Sequence, residues 1–206
     1  MTYNIQLLKE ENYKATFWSG GMAKELTTFP LNSNYADVNF LWRLGIAKID
    51  IEESTFSSLP KVSRKFMVTD GKITIHHEDR YEKLLMPFEQ DEFMGDWNTK
   101  TCCKASVFNL MTRENYYGEL IHINIAPNKE RRFEYTTPLN KILKAICFYT
   151  ANGSFISTIN DTPFETVKNN LLVVTPINFS CSHEFILSSN SSENTDIIVG
   201  IILVNS

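Results

Sequence analysis

Apolar and polar residues alternate with a period of two over much of the chain. Leu120, His122 and Asn124 alternate with Ile121, Ile123 and Ile125, which predicts a two-faced strand whose isoleucines face inward. The apolar run at 171–174 predicts a strand buried on both faces. Further strands are predicted at 40–47, 83–88, 105–111, 119–125, 170–175, 184–188 and 197–204. Helical periodicity is almost absent, with one short turn expected at 162–165, so the pattern predicts an all-β barrel or sandwich.

One strand–turn–strand pattern occurs in each half of the chain. A strand at 66–69 leads into Asp70-Gly71 and a second strand at 72–76, and the same order recurs at 145–149, Asn152-Gly153 and 154–157. Asp-Gly and Asn-Gly favour tight hairpin turns because glycine adopts positive φ, so both segments are predicted to be β-hairpins. Their recurrence indicates a duplicated β unit. We therefore expect two halves, 1–115 and 116–206, within one compact unit.

Composition limits the classes of partner. The chain has 206 residues, of which 43% are hydrophobic and 21% charged, and it contains 14 Phe. This is enough apolar material for a substantial core that includes the lining of a pocket. The formal net charge of −4 argues against a nucleic-acid partner, because such proteins usually present a basic surface. No signal peptide is expected at the N-terminus, and the apolar stretch at 197–204 is too short for a bilayer, so no membrane association and a cytoplasmic location are predicted.

Metal-dependent and nucleophilic chemistry have little support in the sequence. A cupin-type metal site needs two His one residue apart on a strand, a following Glu and a distant third His. The chain has four His, and the adjacent His76 and His77 would face opposite sides of a strand. Their charged run, His-His-Glu-Asp-Arg, is typical of a solvated hairpin end. Neither a Gly-x-Ser-x-Gly elbow nor a P-loop occurs, so we predict no metal, no cofactor and no catalytic residue.

An unusual segment near the N-terminus contains Trp18, Gly20, Gly21, Lys24 and Glu25. Paired glycines allow close backbone approach or positive φ. The segment is either a bend in an edge strand or the lip of a pocket, and the composition favours neither.

Three arginines stand beside apolar strand patterns. Arg43 lies within the pattern at 40–47, Arg64 precedes the strand at 66–69, and Arg113 ends the strand that begins at Ala105. Arginine binds carboxylates through two parallel hydrogen bonds. Singly, each is typical of a surface or salt-bridged arginine. Together the three could form the mouth of an anion-binding site.

Five segments resemble motifs of the HutD/Ves family of bacterial proteins. Residues 18–25 resemble its Trp-Lys-Asn-Gly-Gly-Gly-x-Thr-Arg-Glu signature, and residues 42–47 its Trp-Arg-x-Ser-x-Ala strand. Residues 56–64 are similar to its Phe-Ser-x-Phe-Pro-Gly-x-x-Arg stretch, 93–96 to its Phe-x-Gly-Asp, and 107–113 to its Asp-x-Asn-Val-Met-Thr-Arg. The resemblance covers residues 18–113 in the right order. Beyond Arg113 it rests on length and β pattern.

The resemblance implies a cupin-type, RmlC-like jelly-roll β-barrel with two cupin-like halves in one chain. Family members are linked to histidine utilisation or called stress-induced, they lack the cupin metal ligands, and no enzymatic activity is established for them. Their proposed role is to bind a small acidic metabolite, such as formylglutamate or urocanate, and so to limit induction of the pathway.

The resemblance also suggests ligand-binding residues. Positions that carry the family's residue types are Trp18, Gly20, Gly21, Glu25, Arg43, Arg64, Asn109, Met111 and Arg113, and Lys24 stands in place of an arginine. The arginines would hold a carboxylate, the indole would cover the apolar part of the ligand, and Asn109 would orient it. Ser19 and Met22 depart from the glycine signature, and Gly45 replaces a serine.

Three functions follow as hypotheses. The first is a metal-independent protein that binds a small carboxylate. The second is a metal-independent isomerase or hydrolase that acts on a small acid, with Glu25 or a histidine as general base. The third is an interaction protein that forms a homodimer through strand edges, with Trp97 or a Phe-rich face at the interface.

Overall fold

The computed structural model describes residues 2–178 and 180–206, which form nineteen strands and one short 3₁₀ turn at Glu10–Asn12. They divide into a first unit, Tyr13–Gly118, and a second unit made of residues 2–12 and 119–206. The all-β prediction is confirmed. Within these described ranges, no helix has the length and apolar character needed to cross a membrane.

The first unit is built from two antiparallel sheets. Its strands are β2 (Lys14–Trp18), β3 (Gly21–Phe29), β4 (Trp42–Ile49), β5 (Glu53–Thr55), β6 (Val62–Gly71), β7 (Ile73–His77), β8 (Tyr81–Leu85), β9 (Gln90–Met94), β10 (Thr99–Cys102) and β11 (Ala105–Arg113). The six-stranded sheet has the order β2-β3-β4-β11-β6-β9, and the four-stranded sheet the order β5-β10-β7-β8. Buried side chains from both sheets, such as Val68 and Val107 on one and Ile73, Ile75 and Leu85 on the other, form one core.

The second unit repeats this arrangement. Its strands are β1 (Tyr3–Leu8), β12 (Tyr116–Ile125), β13 (Glu130–Thr136), β14 (Lys141–Asn152), β15 (Ser154–Ile159), β16 (Thr162–Val167), β17 (Leu171–Pro176), β18 (Ser182–Ser189) and β19 (Thr195–Asn205). The five-stranded sheet has the order β1-β17-β14-β19-β12, and the four-stranded sheet the order β13-β18-β15-β16. The N-terminal strand β1 belongs here because it pairs antiparallel with β17.

Strand connectivity is the same in the two units. The order β4-β11-β6-β9 corresponds to β12-β19-β14-β17, and β5-β10-β7-β8 corresponds to β13-β18-β15-β16. The hairpin β2–β3 is an addition at one edge of the first unit, and β1 is an addition at one edge of the second. Eight strands are therefore duplicated, as the recurring glycine pattern suggests.

The prediction of β-hairpins at Gly71 and Gly153 is wrong, because the two strands at each glycine do not pair with each other. β6 pairs with β11 and β9, whereas β7 pairs with β10 and β8 in the other sheet of the first unit. β14 and β15 are divided between two sheets in the same way. Both glycines do adopt positive φ, 78° at Gly71 and 71° at Gly153, but they bend the chain from one sheet to the next.

The predicted strands are present with shifted ends, and one element was assigned incorrectly. Residues 162–165, expected to form a helical turn, are part of β16, which pairs with β15 along its whole length. Thr162 and Pro163 resemble a helix start, but edge position in a sheet accommodates a proline equally well. The run at 171–174 is buried at every position, as predicted.

Candidate functional site

The glycine-containing segment forms the hairpin between β2 and β3 at the edge of the six-stranded sheet. A Cβ atom on Gly21 would lie 2.0 Å from the carbonyl oxygen of Lys48, and one on Gly20 would lie 2.1 Å from Cζ3 of Trp18. Gly20 thus makes room for the indole ring of Trp18, and Gly21 lets the hairpin approach β4. Both alternatives hold, because this edge-strand bend also places Trp18 in the lining of a cavity.

The cavity lies in the first unit and has a volume of about 590 Å³. One face of the six-stranded sheet supplies most of its lining, since residues alternate between the two faces of each strand. From these strands come Lys14, Thr16, Trp18, Ala23, Glu25, Arg43, Gly45, Ile46, Ala47, Ile49, Arg64, Phe66, Val107, Asn109 and Met111. The loop at 32–35 and residues 54–57, which include the end of β5, complete the lining.

Arg64 is a buried cation in the cavity wall. Only 6% of the residue is exposed, and its guanidinium carbon lies 4.7 Å from the ring centre of Phe56 and 5.2 Å from that of Phe93. Nη2 donates a long hydrogen bond of 3.5 Å to Oδ1 of Asn109. Nε has no hydrogen-bond partner, and no described carboxylate forms an ion pair with this side chain.

Burial acts on the protonation of this arginine. The pKa of Arg64 is lowered to about 10, chiefly by desolvation; Tyr35 opposes this shift and the nearby positive charge of Arg43 adds to it. The guanidinium is therefore still charged at neutral pH. A buried charge without a counter-ion is unfavourable, so an anion placed beside Arg64 would be stabilised by it.

Arg43, by contrast, has a carboxylate partner. Its Nε donates a 2.8 Å hydrogen bond to Oε2 of Glu25, and the two side chains are 11% and 21% exposed. The guanidinium carbon lies 4.8 Å from the ring centre of Tyr35. A Cβ atom on Gly45 would lie 3.0 Å from Nη1 of Arg43, so the absence of a side chain leaves space for the guanidinium.

Apolar side chains line the rest of the cavity. Ala47, Ile49, Phe66 and Val107 come from three adjacent strands of the six-stranded sheet. The hydroxyl of Ser54, on β5, is buried and has no hydrogen-bond partner among the described residues. The cavity thus combines charged side chains with apolar ones and with neutral hydroxyls such as that of Ser54.

The structure brings six of the ten predicted site residues together in the cavity lining: Trp18, Glu25, Arg43, Arg64, Asn109 and Met111. The other four are not among the lining residues. Gly20 and Gly21 shape the hairpin backbone, and Lys24 precedes Glu25 on β3, so its side chain leaves the opposite face of the sheet. Arg113 is the last residue of β11, two positions beyond Met111.

The lining residues that were not predicted as site residues include Lys14, Tyr35, Ser54 and Phe56. Phe56 begins one of the motif segments, and Tyr35 directly follows the polar run Asn32-Ser33-Asn34, so both lay next to recognisable signals. The positions of Lys14 and Ser54 depend on strand pairing, which the local sequence does not reveal.

The donor set of the cavity does not fit a metal ion. Among its described lining residues the cavity has one carboxylate, Glu25, and neither an imidazole nor a thiol, while two guanidinium groups would repel a cation. Within residues 2–178 and 180–206, no group of three or more His, Cys, Asp or Glu could hold a metal.

A second polar cluster surrounds His77, on the four-stranded sheet of the first unit. His76 is exposed and His77 is fully buried, which confirms that the pair faces opposite sides. The expectation of a solvated hairpin end is wrong for His77. Its Nδ1 lies 2.8 Å from Oγ1 of Thr99, and its Nε2 lies 2.9 Å from Oδ2 of Asp91.

Comparison with known proteins identifies a family and several structural relatives. Residues 10–177 match the family described as HutD. A conserved protein of unknown function from Pseudomonas aeruginosa PAO1 has a TM-score of 0.79 and 16% identity, over 98% of this chain and 100% of that chain. HutD from Pseudomonas fluorescens SBW25, solved in a formate condition, has a TM-score of 0.72 and 18% identity, over 98% of this chain and 100% of that chain.

Oxalate decarboxylase from Lactobacillus farciminis, in a formate complex, has a TM-score of 0.69 and 7% identity, over 98% of this chain and 86% of that chain. No curated protein has a significantly similar sequence. At these identities the structural likeness shows the fold alone, and it confirms the predicted cupin-type fold with two cupin-like halves.

Proposed function

This chain belongs to the HutD family, and we propose that its cavity binds a small carboxylate metabolite without a metal ion. Formylglutamate-like and urocanate-like acids are the ligands we propose, with a regulatory role in histidine utilisation. Such a role belongs in the cytoplasm, where the intermediates of an intracellular pathway are formed.

Arg64 is the observation that carries this proposal. Its guanidinium is buried in the cavity wall without an ion pair among the described residues, and its Nε lacks a hydrogen-bond partner. A carboxylate would supply the missing counter-charge, because guanidinium and carboxylate form charge-assisted hydrogen bonds. Asn109, next to Arg64, would hold a second polar group of the ligand.

Two structural relatives support the same ligand class. HutD from Pseudomonas fluorescens SBW25 was solved in a formate condition, and the oxalate decarboxylase of Lactobacillus farciminis was solved as a formate complex. Formate would occupy only a small part of a cavity of about 590 Å³. The remaining volume suits an acid with a larger, apolar body, placed against Trp18 and Phe66.

Binding accounts for the cavity better than catalysis does. None of the four histidines, all of them described, lines the cavity. Glu25, the remaining candidate for a general base, already accepts a hydrogen bond from Arg43. We therefore expect a bound acid to be recovered chemically unchanged after long incubation with the protein, as followed by NMR.

Isothermal titration with formate, urocanate and N-formylglutamate tests the proposal. At least one acid should bind, and Arg64→Gln should weaken its binding by about 30-fold or more, since the ligand carboxylate loses a buried ionic partner. Arg131→Gln is the matched control, because Arg131 is an exposed arginine of the second unit and should leave the affinity unchanged. Binding that is equally strong in Arg64→Gln, or no binding of any of these acids at millimolar concentration, would contradict the proposal.

A further inference from the structure

The charges that line the cavity are unequal in number and differ in their partners. Lys14, Arg43 and Arg64 carry positive charge, and Glu25 carries the only negative charge among the described lining residues. The Arg43–Glu25 hydrogen bond of 2.8 Å joins two largely buried side chains, so their charges compensate each other locally. Arg64 has no such partner among the described residues.

Lys14 contributes little to the buried charge. It is exposed at the rim of the cavity, on the edge strand β2, where it stands directly opposite Glu25 in the β2–β3 register. Water and salt screen an exposed ammonium group far more than a buried guanidinium. The interior of the cavity therefore holds one uncompensated positive charge, that of Arg64.

From this arrangement we propose that Glu25 sets the charge selectivity of the cavity: by neutralising Arg43, it makes the site prefer acids with one negative charge over dianions of the same shape. Of the two acids proposed above, urocanate is therefore the one that the site favours, and N-formylglutamate, a dianion at neutral pH, is the one that it disfavours. This inference rests on the proposed carboxylate site. Arg64 would pair with the first carboxylate of a dianion. The second carboxylate would then be desolvated beside Glu25, with no uncompensated cation inside the cavity to receive it.

The remaining lining agrees with this ligand class. Ala47, Ile49 and Val107 can contact only an apolar body, and the buried hydroxyl of Ser54 provides a neutral hydrogen-bonding group. A ligand that matches all three regions has one carboxylate, an apolar or aromatic body, and at most a neutral polar group at its other end.

Succinate and succinamate are suitable probes, because the amide has nearly the shape of the carboxylate and one negative charge fewer. At about pH 7.5, where carboxyl groups are ionised, isothermal titration of the unmodified protein should give at least about tenfold tighter binding of succinamate. Glu25→Gln frees the charge of Arg43. The affinities for the two probes should then become about equal, or succinate should bind more tightly than succinamate.

The double variant Glu25→Gln/Arg43→Gln removes both charges of the pair and should restore the preference for succinamate. A role of Glu25 in folding alone would not produce this reversal and recovery. Glu25→Asp keeps the charge and should keep the preference. Glu82→Gln, an exposed glutamate outside the cavity, is the matched control for the loss of a negative charge.

Equal affinity of the unmodified protein for the two probes would overturn the charge selection and leave the carboxylate site standing, and this result needs no variant. An unchanged preference in a folded Glu25→Gln protein would overturn the assignment to Glu25. Failure of both probes and of formate, urocanate and N-formylglutamate to bind would instead overturn the proposed function itself, together with this inference.

Discussion

His76 and His77 are neighbours on β7, and they differ in burial and in their partners. His76 is exposed and lies 3.6 Å from an oxygen of the equally exposed Glu82. Both ring nitrogens of the fully buried His77 have partners, and its acceptor Asp91 also receives a hydrogen bond of 3.1 Å from the hydroxyl of Tyr81. Burial and the negative charge of Asp91 raise the pKa of Tyr81 to about 12. The buried cluster around His77 therefore contributes to the stability of the first unit, whereas the exposed pair of His76 and Glu82 contributes little.

Asp91→Ala should destabilise the protein by about 2–4 kcal/mol, because His77 and Tyr81 both lose their acceptor in a buried position. Glu82→Gln, on the sheet that carries His77 and Tyr81, is the control and should change the free energy of unfolding by less than about 0.5 kcal/mol. Urea denaturation of both variants measures the difference. Equal effects of the two substitutions would show that burial of this cluster contributes nothing to stability.

At the scale of single residues, sequence patterns predict the face of a strand on which a side chain lies better than they predict its burial and its contacts. Period-two alternation correctly placed His76 and His77 on opposite faces, and the motif segments contained the residues that converge at Arg64. The charged run after His77 nevertheless indicated solvent. Its partner Asp91 lies on β9, a strand of the other sheet, and nothing local in the sequence reveals that contact.

At the scale of elements, a glycine in a β-rich chain marks a bend without naming the partner of the next strand. The Asp-Gly and Asn-Gly pairs were correctly predicted to need positive φ. A hairpin and a passage between sheets both require this conformation, and only long-range pairing distinguishes them. In the first unit β6 and β7 join different sheets, and β14 and β15 do the same in the second.

Gly71→Ala and Gly153→Ala should each cost roughly 1–3 kcal/mol of stability, because a side chain is strained at these positive φ values. Space is short as well, since a Cβ would lie 2.8 Å from the carbonyl oxygen of Lys104 at Gly71 and 2.5 Å from Oγ1 of Thr195 at Gly153. Asp70→Ala, at the exposed neighbour of Gly71, is the control and should have little effect. Thermal or urea unfolding that fails to separate Gly71→Ala from Asp70→Ala would contradict the argument.

At the scale of the whole molecule, the same eight-strand plan encloses two different interiors. Both β6 and β14 have a register shift just before the glycine, at Thr69 and Ala151. Arg64 lies as many residues before Gly71 as Ile146 lies before Gly153, so the two positions are equivalent. The register then makes Asn109, opposite Phe66, equivalent to Val199, opposite Phe148.

Aromatic packing fills the second interior. Phe148 contacts the rings of Phe133, Phe155 and Phe185, with centroids 5.7, 6.2 and 5.3 Å away. The recurring pattern in the sequence could predict the duplication. It could not predict which half is open, because that depends on a few inward positions in each unit.

Conversion of the open interior toward the filled one should separate binding from stability. Arg64→Ile/Asn109→Val gives the first unit the residues found at the equivalent positions of the second, and it should abolish carboxylate binding. The free energy of unfolding should stay the same or rise by about 1–4 kcal/mol, because well-packed apolar side chains replace an uncompensated buried charge. The reverse change, Ile146→Arg, places an arginine among the phenylalanines and should destabilise by more than about 3 kcal/mol. Urea denaturation and titration calorimetry on the same preparations measure both quantities, and a large loss of stability in the double variant would mean that Arg64 is held in the cavity wall for the fold and not for a ligand.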